Sequence, residues 1–571
     1  MPNAVSRIVV LTLLLAVTLL LPTGLRADGV YRPTIGWTVL EAVGARILRD
    51  ANGVPHIFAD DNYALFYAYG YAVAQDRLWQ LDLFRRTARG TLAKVLGPTA
   101  LASDRLERTH GYTEAEYRQL YETLSNETQE ILSAYRDGIN AYLQLVRADP
   151  EHLLPWEFHQ LDYRPADWQV TDSLAISRFM IRRWGESGGQ ELGNQALLQS
   201  LIREHGQALG TAMYNDLRWQ NDPDAPTSVP QEGAGPSAHA GGRKHAPLAP
   251  ALLPNVEYVA QEVHRAQEAA RAVWEAYGIP TTLGSFAFAV SPTRAANGHA
   301  MLYGGPQMGW ETPDIVHQVQ LAGGNGFNVI GIAFAGIPLV SIGHNERIAW
   351  SVTSGMGDNV DLYVETLNPT NSEQYWFDGS WQEMITRTES ISVAGRTEPE
   401  HQVVRRTVHG PVIALDEENN LAYSIKRAHW MREAEMFAAM LDMLRAQTLA
   451  EFERGVKEFV ISNHLLYADR EGNIAYWQGG PYRSDRMAPM LALSHGRAMA
   501  PKSGERRGAR CLMSSTHLRA ICSTGTTSHR PILITAMPKG LASNIACATS
   551  AIFWPPVRAS PGTTWQPSRY R

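Results

Sequence analysis

The sequence is poor in cysteine, and it has neither a broad basic surface nor a long hydrophobic run. Its three cysteines, Cys511, Cys522 and Cys547, all lie near the C-terminus, so disulfides cannot hold the preceding body together. The net charge of -6, with both signs interspersed, lacks the basic field that nucleic-acid binding requires. These absences exclude a disulfide-stapled domain and argue against a nucleic-acid partner, so we expect a small-molecule partner.

A short hydrophobic segment at the N-terminus predicts export. Arg7 precedes the apolar run from Ile8 to Leu21, and the small residue Ala27 ends the segment, which is the pattern of a secretory signal peptide over residues 1–27. The alternative is a membrane anchor, but a run of roughly 14 apolar residues is short of the ~20 that a spanning helix needs. We therefore expect a periplasmic or secreted protein without stable membrane insertion.

Beyond residue 27, periodicity and composition divide the chain into four regions. Residues 28–220 show mainly helical spacing, including a predicted helical hairpin from Asn62 to about Gly97. Residues 221–284 begin with a stretch rich in Pro, Gly, Ala and Ser, typical of a linker or spacer, and then carry one further helical segment. Strand patterns dominate residues 285–486, and residues 487–571 form an aberrant tail without a clear period. Helices first and strands later predict an α+β fold.

The Gly284-Ser285 pair opens the strand-rich region. A serine hydroxyl is a weak nucleophile that needs an adjacent base, and a chain-terminal amine with a pKa near ~7.7 suits that role at neutral pH. Cleavage before Ser285 creates such an amine on the same residue. Taken alone, however, Gly-Ser before an apolar run is more typical of a turn serine that opens a buried strand.

Two long segments resemble the penicillin acylase family of N-terminal-nucleophile hydrolases. The segment GSFAFAVSPTRAANGHAMLYGGPQMGW, from Gly284, resembles the start of the family's β chain, and GVPHIFADDNYALFYAYGYAVAQDRLWQLDLFRR, from Gly53, resembles its α chain. The resemblance implies an αββα sandwich, with residues 28–220 as an α-chain-like region and 285–486 as a β-chain-like catalytic region. It also implies two chains that stay associated after self-cleavage.

The same resemblance assigns the catalytic residues. Ser285 is the expected nucleophile, released by cleavage after Gly284, and Gln307 is expected to position the substrate and the nucleophile. The backbone amide of Ser354 is expected to donate to the oxyanion, a contribution worth roughly 3 kcal/mol in the transition state. The residues expected at the substrate pocket are Arg183, Trp184 and Met308.

A calcium site is a further implication of the resemblance. Its expected ligands are Glu191, Asp358, the carbonyl of Val360, and Asp361. Carboxylate and carbonyl oxygens suit one Ca²⁺ ion better than zinc. The alternative is a solvated acidic turn beside a carboxylate on a helix face.

A rival motif occurs at residues 185–189. Gly-Glu-Ser-Gly-Gly fits the G-x-S-x-G nucleophile elbow of an α/β-hydrolase. That motif requires a preceding strand, and the sequence before it favours a helix.

The last part of the chain departs from the family. No Asp or Glu follows Glu505, and the Asn-Trp-Asn-Asn string that carries the family's second oxyanion donor is absent. The codons of Thr524 to Thr527 permit that string in another reading frame, so we hypothesise that the C-terminal part is truncated or frame-shifted.

The sequence thus predicts an autoprocessing amidohydrolase that cleaves penicillin-like or other small N-acyl amides. Two alternatives stay open. One is an acylase of N-acyl homoserine lactones, and the other is a non-catalytic, truncated product.

Overall fold

The computed structural model describes residues 37–217, 253–279, 281, 284–309, 311–355, 357–480, 510–512 and 522–525. The predicted signal peptide, most of the Pro- and Gly-rich linker and most of the tail lie outside these residues.

Helices dominate the first half of the described chain and recur near its end. They are α1 (Asn62–Arg89), α2 (Ala93–Leu96), α3 (Leu101–His110), α4 (Glu114–Glu122), α5 (Asn126–Ala148), α6 (Pro150–Leu153), α7 (Trp156–Gln160), α8 (Val170–Trp184), α9 (Glu191–Leu217), α10 (Val256–Ala276), α11 (Glu435–Arg445) and α12 (Leu449–Lys457). In the described part of the chain, no helix has both the length and the apolar character needed to cross a membrane.

The strands form three sheets. They are β1 (Trp37–Leu40), β2 (Ala45–Arg49), β3 (Pro55–Ala59), β4 (Ser285–Val290), β5 (Met301–Pro306), β6 (Val316–Gly323), β7 (Phe327–Phe334), β8 (Val340–His344), β9 (Ile348–Ser354), β10 (Val360–Asn368), β11 (Asn371–Phe377), β12 (Ser380–Glu383), β13 (Ile385–Ile391), β14 (Glu400–Thr407), β15 (Gly410–Asp416), β16 (Leu421–Arg427), β17 (Asn463–Asp469), β18 (Ile474–Gln478), β19 (Arg510–Leu512) and β20 (Cys522–Gly525). The 10-stranded sheet has the order β1-β2-β3-β6-β7-β8-β9-β17-β18-β19, the 7-stranded sheet has β12-β11-β10-β16-β15-β14-β13, and the 3-stranded sheet has β20-β4-β5.

The small sheet that begins at Ser285 packs face to face on the large sheet. Successive side chains on β9 point to opposite faces, and Trp350 contacts Phe452 of α12 with ring centroids 6.4 Å apart. Its neighbour Ser351 faces β5, since a Cβ built on Gly304 would lie 2.5 Å from the Ser351 hydroxyl oxygen. The layer order is therefore helix, sheet, sheet, which confirms the α+β class. The second helical layer of an αββα sandwich remains a prediction.

The segment predicted as a helical hairpin instead forms the long helix α1, which is kinked at Arg77, and after Gly90 the short helix α2, so the prediction of a hairpin was wrong. Asp61 caps the start of α1 by accepting the Ala64 N–H at 2.7 Å, and Gly90 ends the helix with a φ of 61°. Gly70 and the kink at Arg77 lie inside α1 without reversing the chain, and the left-handed Gly90 is the residue at which the helix stops.

Glycines allow α1 to pack closely against α5. A Cβ on Gly70 would lie 2.1 Å from the Tyr135 carbonyl oxygen, and one on Gly138 would lie 1.8 Å from the Tyr67 carbonyl oxygen. Only residues without a side chain fit at these two crossing points. The α1–α5 pair then covers the large sheet, where Phe66 meets Phe327 edge to face at 5.2 Å.

The helix predicted after the linker is present as α10, and it is packed into the body. Trp274 is buried, its indole N–H donates to the Ser103 hydroxyl at 2.8 Å, and its ring meets Phe179 at 5.7 Å. The region predicted as a spacer therefore contains an element that contributes to the core.

Two short strands come from the predicted aberrant tail. Strand β19 pairs with β18, and β20 pairs antiparallel with β4, placing Gly525 opposite Phe286. Whether the tail is native or frame-shifted stays a hypothesis about the gene.

Candidate active site

Ser285 is the first residue of β4 and lies beside the carbonyl of the preceding residue. The Ser285 hydroxyl donates to the Gly284 carbonyl oxygen at 2.7 Å. The main-chain N–H of Gln307 donates to the same oxygen, also at 2.7 Å, because β4 and β5 pair with Ser285 opposite Pro306. The expected scissile carbonyl thus has an N–H donor on its oxygen and a hydroxyl beside it.

Gly284 and Ser285 open onto a largely apolar cavity of about 150 Å³. A cavity of this size, lined by aliphatic and aromatic side chains, holds a group the size of a benzene ring. The lining brings together α8, the large sheet and α11, and it includes Met180, Phe334, Leu339, Met436, Met440 and Ile461.

Trp184 and Met308 both line this cavity, as predicted for pocket residues. The Trp184 ring stacks on Phe334 with centroids 5.2 Å apart. Ser354 donates from its hydroxyl to the Trp184 carbonyl at 2.7 Å, which ties the end of α8 to β9. Ser354 therefore lies at the cavity with its side chain engaged, and an oxyanion role for its backbone amide remains a prediction.

Arg183 is not among the described residues that line the cavity. Its guanidinium carbon lies 4.9 Å from the centre of the Trp274 ring. Burial, with a further contribution from Arg271, lowers the pKa of Arg183 to about 10. Arg183 therefore does not lie at the cavity, and its side chain instead joins α8 to α10.

The predicted calcium ligands come from two segments that meet beside α9. The Gly189 N–H donates to the Val360 carbonyl at 2.9 Å. Burial raises the pKa of Glu191, and the charges of Asp361 and Asp358 raise it further, so the three carboxylates lie near one another. One oxygen of Glu191 is buried without a hydrogen-bond partner among the described residues.

The donor chemistry of this cluster fits calcium, since every candidate ligand is an oxygen. In the described ranges, however, no group of three or more His, Cys, Asp or Glu residues is arranged as a metal site with the side chains as they stand. The calcium site therefore stays a prediction.

The rival motif at residues 185–189 does not form a nucleophile elbow. It follows helix α8 rather than a strand, whereas the elbow is a sharp strand-to-helix turn. The Ser187 carbonyl accepts the N–H groups of Asn359 and Val360 at 3.0 and 3.2 Å, so this segment is an edge contact to β10.

Glu186 within that segment is the centre of a buried ion cluster. It accepts from the Arg427 guanidinium at 2.6 Å and contacts the His429 ring nitrogen at 3.1 Å. Burial by itself raises the pKa of Glu186, but Arg427 and His429 outweigh burial and hold that pKa well below its usual range. The cluster fixes the loop that carries Gly185 to the cavity.

Several cavity residues were not predicted from the sequence. Met436 and Met440 lie four positions apart on α11, and their helical spacing indicated a buried face without indicating which cavity it covers. Asn463 is an amide at the start of the otherwise mostly apolar strand β17, lying directly opposite Ser354. A polar residue in such a strand was the only available signal.

Comparisons with known proteins identify the family of the chain. The family profile for penicillin amidase matches residues 44–506. Penicillin G acylase of Escherichia coli is 32% identical over 461 residues, which are 76% of this chain and 53% of that protein. Acyl-homoserine lactone acylase QuiP of Pseudomonas aeruginosa is 27% identical over 476 residues, covering 81% of this chain and 51% of the relative.

A third relative is the penicillin acylase 2 proenzyme of a Pseudomonas species, 30% identical over 434 residues, with 76% of this chain and 51% of that protein covered. The chain thus spans about half the length of the curated relatives it matches. The profile match extends over most of the sequence and includes both the helical region and the Ser285 segment. The chain belongs to the penicillin amidase family.

Proposed function

We propose that this protein is an amidohydrolase that cuts its own chain between Gly284 and Ser285 and then hydrolyses N-acyl amides through an acyl-enzyme on Ser285. The observation that carries the proposal is the contact at Gly284. The Ser285 hydroxyl and the Gln307 N–H both lie 2.7 Å from the Gly284 carbonyl oxygen, at the mouth of an apolar cavity.

The self-cleavage step follows from these contacts. The Ser285 oxygen attacks the Gly284 carbonyl carbon, and the Gln307 N–H stabilises the charge that develops on the carbonyl oxygen. The bond from the Gly284 carbonyl carbon to the Ser285 nitrogen then breaks as the proton lost by the hydroxyl passes to that nitrogen, leaving an ester on the Ser285 side-chain oxygen and a free amine on the same residue. Water hydrolyses the ester, and the chain ends at Gly284.

The α-amine that cleavage creates on Ser285 acts as the general base when the enzyme hydrolyses its substrate. With a pKa near ~7.7, it accepts the proton of the Ser285 hydroxyl as that oxygen attacks the substrate carbonyl. The amine of the substrate leaves, and water releases the acyl group from Ser285. The expected oxyanion donor in this step is the backbone amide of Ser354.

The two fragments are expected to stay together after cleavage because they share one core. Phe66 of α1 packs on Phe327 of β7, and the Tyr69 hydroxyl lies 3.0 Å from a ring nitrogen of His317. Both contacts join the region before Ser285 to the region after it.

The substrate is a small amide whose acyl group is apolar. An acyl-homoserine lactone substrate, the alternative to a penicillin-like one, is favoured by the aliphatic part of the lining, such as Leu339 and Ile461, and by the name of one relative. Hydrolysis of hexanoyl homoserine lactone and of penicillin G by the same preparation compares the two directly.

We further propose that Ca²⁺ binds between Glu191, Asp358, Asp361 and the Val360 carbonyl. The ion would neutralise the three carboxylates and join α9 to β10. We also propose that the protein works in the periplasm or outside the cell after removal of residues 1–27.

The decisive experiment is intact-mass measurement on the expressed chain and on Ser285→Ala. The matched control is Ser291→Ala, which removes an exposed hydroxyl bonded to Thr293. We expect a fragment that begins at Ser285 in the parent and in the Ser291→Ala control, and an uncleaved chain in Ser285→Ala. An uncleaved, folded parent would contradict self-cleavage and favour the non-catalytic alternative.

A further inference from the structure

One amide lies among the described residues that line the cavity, and the proposed function gives it no role. The other polar side-chain groups of the lining are the hydroxyls of serine and threonine residues and the indole N–H of Trp184, whereas Asn463 carries its donor and its acceptor on separate atoms. Its exposed fraction is 6%, so its polar atoms meet little solvent other than what enters the cavity. A buried amide in an apolar pocket is costly unless it is hydrogen-bonded.

The hydrogen bonds fix the orientation of this amide. Its nitrogen donates to the Thr353 carbonyl at 2.9 Å, and a carbonyl accepts only from the nitrogen side of the amide. The side-chain oxygen therefore lies on the other side, and no described residue donates to it. An acceptor is left at the cavity for a ligand.

The position of Asn463 indicates which part of a substrate would meet it. Asn463 lies directly opposite Ser354 on neighbouring antiparallel strands, and side chains in such pairs have Cβ atoms roughly 5 Å apart. Ser354 and the proposed nucleophile Ser285 both line the cavity. A group that reaches Asn463 is thus attached within the first few carbons of the acyl chain.

We propose that Asn463 is a specificity-determining residue that selects acyl groups bearing a hydroxyl near the acyl carbonyl over unsubstituted chains. The inference rests on the proposed function of Ser285. A hydroxyl donates to the Asn463 oxygen, whereas a plain chain excludes water from that oxygen and leaves it without a partner. Sites built to bond a hydroxyl reject the analogue that lacks it for this reason.

The test compares the p-nitroanilides of hexanoic acid and 3-hydroxyhexanoic acid with the full chain. We expect kcat/KM to favour the hydroxylated substrate by about fivefold, the effect of one neutral hydrogen bond. Asn463→Leu, which has nearly the same shape without polar atoms, is expected to bring the ratio to one or below. Ser177→Ala removes a hydroxyl from another wall of the cavity and is expected to leave the ratio unchanged.

Equal kcat/KM values for the two substrates in the parent would overturn the inference, whatever the variant does. A fivefold preference that persists in Asn463→Leu would also overturn it. These outcomes leave the role of Ser285 intact because both require turnover.

A second measurement separates the inference from the proposed function. Binding of free hexanoic and 3-hydroxyhexanoic acids to Ser285→Ala by calorimetry needs no catalysis, and the hydroxylated acid is expected to bind about fivefold tighter. That preference is expected to vanish in Ser285→Ala/Asn463→Leu. If the parent turns over neither anilide, the proposed function fails, and the binding preference alone decides the role of Asn463.

Discussion

Replacing Gly304 by alanine tests whether the two sheets are as tightly packed as the structure shows. Gly304 lies on β5, opposite Ala287 of β4. A Cβ at this position would lie 2.5 Å from the Ser351 hydroxyl oxygen and 3.0 Å from the Ser351 Cβ. Overpacking of this kind costs about 1–3 kcal/mol, so we expect Gly304→Ala to lower the free energy of unfolding by about 2 kcal/mol.

A second substitution should restore part of that loss. The Ser351 hydroxyl is buried and has no hydrogen-bond partner among the described residues, so Ser351→Ala alone is expected to be close to neutral. In Gly304→Ala/Ser351→Ala the nearer contact is gone and the 3.0 Å contact remains. We expect the double variant to lose about 1 kcal/mol, a coupling of about 1 kcal/mol between the sites.

The assay is urea unfolding followed by tryptophan fluorescence, with every variant in the Ser285→Ala background so that cleavage does not interfere. Gly193→Ala is the control, because a Cβ there meets no atom within 4 Å on helix α9, and a stability gain of about 0.5–1 kcal/mol is expected. A double variant no more stable than Gly304→Ala would refute the packing argument. With Ser285 restored, Gly304→Ala is also expected to slow self-cleavage about tenfold, because β5 carries the chain to Gln307.

Three further predictions concern regions outside the cavity: two buried contacts and the proposed calcium site. Glu186→Gln is expected to cost about 3 kcal/mol at pH 7, since it leaves the Arg427 charge buried without its partner. Because the pKa of Glu186 is lowered in the folded state, its contribution is present above the unfolded-state pKa and is lost as the pH falls toward the folded-state value. The difference in urea midpoint between parent and variant should thus shrink below about pH 4.5, and a constant difference would contradict this assignment. Trp274→Phe removes the bond to Ser103 and should cost about 1–2 kcal/mol in the same assay, while an unchanged midpoint would show that α10 is not docked. Calcium added to EDTA-treated protein should raise the melting temperature, with about 2.7 kcal/mol gained at a concentration 100 times Kd. Asp361→Asn should abolish that response, and an equal response in parent and variant would place the ion elsewhere.

The sequence indicated candidate residues for the reaction more readily than it indicated which residues line the cavity. Ser285 and Gln307 lie in one short segment, so their motif carried their positions, and the hairpin β4–β5 brings them together locally. Arg183 and Trp184 are neighbours on α8, yet only Trp184 lines the cavity. Successive helix residues point about 100° apart, and only the docking of the helix decides which of them meets substrate.

Elements far apart in the sequence were harder to predict for the same reason. The helical period of α11 indicated an apolar face, but not that Met436 and Met440 would cover the same cavity as Met180 of α8. The linker composition predicted a spacer and gave no sign of the docked helix within it, because the burial of Trp274 depends on Ser103 and Phe179, which lie much earlier in the chain.

The sequence by itself determined the α+β class, the position of the candidate nucleophile and the oxygen-donor character of the acidic cluster. These properties depend on residue type, on the local periodicity of apolar residues and on short motifs, and each of these is a feature of residues that are neighbours in the sequence. Only the tertiary structure decided the size of the cavity and the place of Asn463 opposite Ser354. A hydrophobic pattern specifies that a face is buried but not what it is buried against, and that partner is chosen when distant segments pack together.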